Sequence, residues 1–132
     1  LWVDIGSFYG GLQSVIRKEY PGVRTVMIDF HHQLARSYLF LKRIYPNQNH
    51  ILPDQFIQQG LDCLEPGCFA YLPASCFKKV EFNKVDLLTN CFSLGEMAEG
   101  TFEEYMNSHL FTNSKTSLRE IAVRSRRSLS PS

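Results

Sequence analysis

No apolar run in the chain approaches about 18 residues, so no membrane-spanning helix is predicted. Neither a basic leader nor a small-residue cleavage site opens it; Leu-Trp-Val-Asp-Ile-Gly reads instead as a strand already under way. A chain that starts in this way, without an initiator Met, is expected to begin inside a fold. Cysteine is sparse and unpaired in pattern. Cys63, Cys68, Cys76 and Cys91 form no Cys-x-x-Cys pair, and their spacings of five, eight and fifteen match no zinc arrangement. Beside aromatic and strand-like neighbours they are expected as reduced, small apolar side chains, in keeping with a cytoplasmic setting. No metal site is predicted. Charge of one sign is also lacking overall, the net value being +1. Residues 113–132 nevertheless carry +4, through Lys115, Arg119, Arg124, Arg126 and Arg127 against Glu120, and leave −3 on the rest. A Ser-rich solvated terminus accounts for that tail without a nucleic-acid or membrane partner, and neither is predicted.

What remains is the composition of one globular domain: 132 residues, 44% hydrophobic and 20% charged, enough to bury a core. Residues 1–5 form a short apolar run that breaks at the glycine-rich stretch 6–11. Leu12, Val15, Ile16 and Tyr20 then recur at helical spacing until Pro21-Gly22. A second strand is predicted over residues 23–30, where Val23, Val26, Met27 and Ile28 give the near-continuous apolar run of a strand buried on both faces. Leu34, Tyr38, Leu41 and Tyr45 mark one face of a second helix that Pro46 stops. Residues 47–67 are least legible, with a short helix expected at 53–59 and a turn at Glu65-Pro66-Gly67. Strands at 68–72 and 85–92 flank an irregular crossover at 74–80. Thr101 caps a helix to Leu110, with Glu104 completing a capping box. Strands alternating with helices predict a parallel α/β sheet with right-handed crossovers over residues 1–112, followed by a basic, Ser/Arg-rich, disordered tail over 113–132.

A strand that runs into glycines and then a helix makes room for the polar end of a cofactor, because glycines admit close backbone approach and the helix start offers free N–H groups. In the dinucleotide fingerprint Gly-x-Gly-x-x-Gly these groups face a pyrophosphate. Here Phe8 replaces the second glycine, and Asp4, at the strand end before Gly6, would repel phosphate. An acid at that place suits a cationic ligand, although taken alone it reads more readily as a cap that bonds its own loop backbone. Asp29 lies 23 positions after Gly6, at the end of the second strand, where a carboxylate accepts ribose hydroxyls. His31 and His32 read as polar helix-start residues, since adjacent helical positions diverge and do not converge on a metal.

The run Val-Asp-Ile-Gly-Ser-Phe-Tyr-Gly-Gly-Leu, the strand Val-Met-Ile-Asp-Phe and the later Asp-Leu-Leu-Thr-Asn-Cys-Phe-Ser-Leu-Gly-Glu-Met together resemble class I S-adenosylmethionine-dependent methyltransferases, and within them the sugar O-methyltransferase group. Tyr9-Gly10-Gly11 and Ser93 to Met97 are the specific matches, and the likeness covers residues 1–110. It implies a Rossmann-like fold, mostly parallel with flanking helices, and S-adenosylmethionine as cofactor. The cofactor-binding residues it implies are Asp4, Gly6, Ser7, Tyr9, Gly10, Asp29, Phe30 and Asn90. Ser7 and Phe8 depart from the more glycine-rich loop of the group. About four strands are legible where those enzymes have seven, so the chain is expected to be a fragment or a truncated form, with a sheet edge open to oligomer formation.

Methyl transfer to a hydroxyl needs proximity and a base. Asn90, Ser93 and Glu96 follow the fourth strand, on the side where open α/β sheets bind ligands. Glu96 is the first candidate for the base, against an equal reading as a helix-start carboxylate, and His109 the second. The activity expected is O-methylation of a sugar or similar small hydroxylated acceptor. The alternative is a non-catalytic, methyltransferase-like module that acts in protein interaction. A nicotinamide-dependent oxidoreductase is disfavoured by Asp4 and Phe8.

Overall fold

The computed structural model describes residues 1–90, 103–104, 107 and 114–117. Strand β1 (Trp2–Ile5) leads through the glycine loop into helix α1 (Gly11–Glu19), and β2 (Thr25–Asp29) leads directly into helix α2 (His31–Ile44). The segment that was hardest to read holds a two-residue strand, β3 (His50–Ile51), and helix α3 (Pro53–Gln59), with a tight turn of helix at Gly60–Cys63. Pro53 at the first helical position and Asp54 in the first turn suit the start of α3, because the missing N–H would be unpaired there and a negative charge complements the helix dipole. Strand β4 (Phe69–Pro73), an irregular crossover at Ala74–Lys79, β5 (Val85–Asn90) and β6 (Ser114–Ser117) complete the order.

The six strands form one sheet in the order β3-β4-β2-β1-β5-β6, and every neighbouring pair is parallel. This is the mostly parallel, Rossmann-like α/β fold expected. Two strands were not read from sequence. Strand β3 is too short to show a period. Strand β6, within the segment assigned to a disordered tail, has no apolar content and joins by backbone pairing to β5, with Leu87 opposite Thr116. Among the described residues the outer strands are β3 and β6, both short, as edge strands commonly are.

Side-chain alternation divides the core between the two faces of the sheet. Val3, Ile5, Val26, Ile28, Ala70 and Leu72 point to one face, where Phe56 of α3, Phe77 of the crossover, and Val80 and Phe82 just after it cover them. Met27, Phe69 and Tyr71 point to the other, against Leu34 and Leu41 of α2. Trp2 and Asp4 share this second face by the same two-residue period. Removing a ring such as Phe56, which is fully buried, would cost about 3–5 kcal/mol.

Helix α2 buries Leu34 and Leu41 on the predicted face, with Tyr38 and Tyr45 packed beside them. Helix α1 behaves otherwise: it buries Gln13 and Arg17 and leaves Leu12, Val15 and the following Tyr20 exposed. Two polar anchors set its rotation. Gln13 bonds the Asp4 carboxylate, while Arg17 Nε donates to the Gly67 carbonyl at 3.1 Å and its guanidinium lies 5.5 Å from the centre of the Tyr45 ring, a cation–π contact. Cys63, Cys68 and Cys76 are free thiols, Cys68 being buried, and Cys91 lies outside the described residues. Among the described residues no helix is long and apolar enough to cross a membrane.

Candidate functional site

The sheet order places β1 between β2 and β5. The chain crosses outward on one side of β1 and returns to its other side, so a crevice opens at the carboxyl ends of these strands. The glycine loop closes over that end. Gly6, Phe8 and Gly10 all adopt left-handed backbone, with φ of 75°, 55° and 92°. Glycine takes this conformation freely, whereas a Phe there is strained and needs outside support. Asp29 and Ser37 supply it: the Phe8 N–H donates to Asp29 Oδ2 at 3.1 Å, and the Ser37 hydroxyl donates to the Phe8 carbonyl. Asp29 Oδ1 also accepts the Phe30 N–H at 2.7 Å, fixing the carboxylate at the start of α2.

The loop is tied to both neighbouring strands. Gly6 N–H donates to the Ile28 carbonyl at 2.8 Å, and Asn90 Nδ2 donates to the Ile5 carbonyl at 2.9 Å. Gly10 packs against Leu41, where a Cβ would stand 3.1 Å from the Leu41 side chain. Tyr9 folds back over Gly11, so that a Cβ there would displace the end of the Tyr9 ring, and meets Phe40 edge-on with ring centres 5.2 Å apart. The Phe30 ring is exposed and stacks on His32 at 5.8 Å.

Beneath the loop lies a cavity of about 240 Å³ lined by Asp4, Gly6, Ser7, Phe8, Tyr9, Gly11 and Leu12. Asp4 is 2% exposed, and both of its oxygens are engaged. Thr89 Oγ1 donates to Oδ1 at 2.7 Å and Gln13 Nε2 donates to Oδ2, while Trp2 Nε1 donates to Thr89 Oγ1 at 2.7 Å. Burial pushes the Asp4 carboxyl up to about 6, against the pull of the Thr89 and Gln13 hydrogen bonds, and the nearby Asp29 charge adds to the rise. Ser7 is 4% exposed, yet its hydroxyl has no partner, and Gln13 Oε1 is also buried without one. Unpaired buried polar atoms are uncommon, and of these two residues Ser7 lines the cavity.

The structure therefore brings together Asp4, Gly6, Ser7, Tyr9, Gly10, Asp29, Phe30 and Asn90 at one end of the sheet. Asp4 forms part of the floor, hydrogen-bonded on both oxygens, and is not a free surface carboxylate. Glu96 and His109 lie outside the described residues. Phe8 is 56% exposed, with its ring directed to solvent, so the charges of Asp4 and Asp29, more than the bulk of Phe8, oppose a pyrophosphate. His31 and His32 sit at the start of α2, and among the described residues no group of three or more His, Cys, Asp or Glu is placed to hold a metal.

Sequence reasoning missed Trp2, Gln13, Ser37 and Thr89. The two-residue period put Trp2 beside Asp4, but the pairing of Asp4 with Thr89 depends on a register between strands 85 positions apart. Gln13 carried no signal of its own, because a polar residue in a first helical turn is ordinarily solvated. In comparisons with protein-family models, curated proteins and solved structures, nothing matches this chain.

Proposed function

We propose that the cleft above β1, β2 and β5 binds S-adenosylmethionine, and that the chain serves in O-methylation of a sugar or similar small hydroxylated acceptor. The observation that carries this reading is the glycine loop, which lines the cavity with the orphaned Ser7 hydroxyl and is bonded through the Phe8 N–H to Asp29. Each Asp29 oxygen uses one lone pair on the loop or on α2 and keeps another for a ribose hydroxyl. Ser7 Oγ and the backbone of the left-handed loop suit the polar methionyl end, and the Asp4 floor favours its positive charge over a pyrophosphate. When bound, the cofactor supplies an electrophilic methyl group activated by its sulfonium.

The chain's own part is to bind and orient. Asp29 and the loop fix the donor, since holding the reactants in line is the larger share of such a displacement. Glu96 is proposed as the base that takes the acceptor's proton, with His109 the second choice. Calorimetry with S-adenosylhomocysteine tests the binding: saturable heat is expected with the native chain and at least about a tenfold loss for Asp29→Ala, the scale of one charged hydrogen-bonding group. An unchanged affinity in that variant would remove the assignment. Exposed Leu12 and Val15 on α1, with exposed Tyr20 just after it, favour a second reading, a module engaged in protein contacts. Self-association that Val15→Asp abolishes, with no binding of S-adenosylhomocysteine, would select it.

A further inference from the structure

We propose that Trp2 and Thr89 form a one-way hydrogen-bond relay that holds Asp4 as an acceptor on both oxygens. The relay fixes negative charge beneath the cleft, and both residues act by positioning Asp4 for the cationic end of a ligand. The direction follows from the donors. Indole nitrogen can only donate, so Thr89 Oγ1 receives the Trp2 hydrogen at 2.7 Å. A hydroxyl has one proton, and with Trp2 occupying one side of the oxygen that proton goes to Asp4 Oδ1, also at 2.7 Å. Donation from Trp2 polarises the Thr89 hydroxyl and strengthens what it gives to Asp4. Gln13 Nε2 fills the other oxygen. Accepting on both oxygens is the pattern of an ionised carboxylate; a protonated Asp4 would donate from Oδ2 only after the Gln13 amide turned to present Oε1.

The groups facing Asp4 supply no compensating positive charge. Thr89 on β5 and Gln13 on α1 are neutral, and Asp29 at the end of β2 is a like charge that raises the Asp4 pKa. Among the described residues no Lys, Arg or His forms an ion pair with it. A buried carboxylate with donors but no cation is held in place for a positive charge that arrives with a ligand. The cavity it borders opens beside Ser7 and Gly11, at the start of α1. An ammonium or sulfonium entering there gains the field of Asp4 and holds it ionised, so binding near pH 6 releases a proton. The relay does not depend on the identity of that ligand; only the choice of an ammonium- and sulfur-bearing cofactor rests on the reading above.

Infrared titration of the protonated carboxyl stretch, without ligand, tests the relay. Asp4→Asn identifies the Asp4 band, whose midpoint in the native chain is expected at about 6. Trp2→Phe keeps an aromatic ring and removes the donor, and should raise that midpoint by roughly half to one pH unit. Thr89→Val should raise it at least as far, and Thr89→Ser, which keeps the hydroxyl, should restore the native value. A Trp2→Phe midpoint equal to the native one would remove Trp2 from the relay. Should that variant fail to fold, Thr89→Val against Thr89→Ser carries the test, and equal midpoints in those two would overturn the relay entirely. Calorimetry of S-adenosylhomocysteine in two buffers of different ionisation heat at about pH 6 then tests the coupling. Proton release that Asp4→Asn abolishes supports it, and binding without proton release overturns it. Absence of any binding alongside a normal infrared result would reject the cofactor reading and the ligand coupling, and leave the relay standing.

Discussion

Replacing Asp4 by Asn should make the fold more stable at neutral pH, although it removes a charge held by two hydrogen bonds. The folded chain raises the Asp4 carboxyl from its ordinary 3.8 to about 6, chiefly by burial. Between those values the folded state binds more protons than the unfolded one, so stability falls as pH rises through the window and levels off above it. At about 1.4 kcal/mol per pH unit the whole interval corresponds to about 3 kcal/mol, of which about 2 kcal/mol develops between roughly pH 4.5 and 7.5. Asn at position 4 can keep the geometry. Its oxygen accepts from Thr89, and its amide hydrogens can bond Gln13 Oε1, now buried without a partner, once the Gln13 amide turns over. Urea unfolding of the native chain and Asp4→Asn across that pH range gives the difference free of other titrating groups. The advantage of Asp4→Asn should grow by about 2 kcal/mol from the acidic to the neutral end. A difference that is flat with pH would refute the inference that Asp4 carries the desolvation of a buried, unpaired carboxylate.

Three further outcomes follow from named contacts. Gly67 has φ of 82°, and a Cβ there would lie 2.8 Å from the Arg17 guanidinium and 2.9 Å from the Pro21 carbonyl. Gly67→Ala should therefore lower stability by roughly 2 kcal/mol in urea unfolding, whereas Gly22→Ala, with open space around it, should change it by less than about 1 kcal/mol. His50 lies between the Tyr71 hydroxyl at 2.8 Å and the Tyr45 carbonyl at 2.9 Å, and burial lowers its pKa from 6.5. Its neutral form belongs to the fold, so stability should be lost as pH falls below about 6.5, and His50→Phe should remove that part of the pH dependence in thermal unfolding. Ser37→Ala removes the donor that supports the strained Phe8 backbone and should weaken S-adenosylhomocysteine binding several-fold, roughly 1 kcal/mol in calorimetry.

The parallel sheet was legible because buried strands write near-continuous apolar runs, and Val26 to Ile28 is one. The α2 face was legible because Leu34, Tyr38 and Leu41 keep helical spacing and pack as that spacing predicts. Helix α1 was legible only in part. Its apolar residues locate a helix, but the orientation is decided by Gln13 reaching Asp4 and Arg17 reaching Gly67, contacts that no hydrophobic period encodes. Strand β3 is two residues long, and β6 is held by backbone pairing of polar residues, so neither leaves a trace in composition. At the site, the loop glycines and Asp29 could be named from sequence because each performs a local backbone task. The Trp2–Thr89–Asp4 chain could not, since it exists only after β1 and β5 align with Asp4 opposite Thr89.

The central claim concerns one crevice, and amide chemical-shift mapping tests it most directly. Addition of S-adenosylhomocysteine to isotope-labelled protein should move the amide resonances of Gly6, Ser7, Phe8, Gly11 and Phe30, around the cavity and Asp29. Those of Arg24 and Lys84, which line a separate hollow with Asp62 and Asp86, should stay unchanged. Shifts confined to the second group, or no shift at millimolar ligand, would contradict the account.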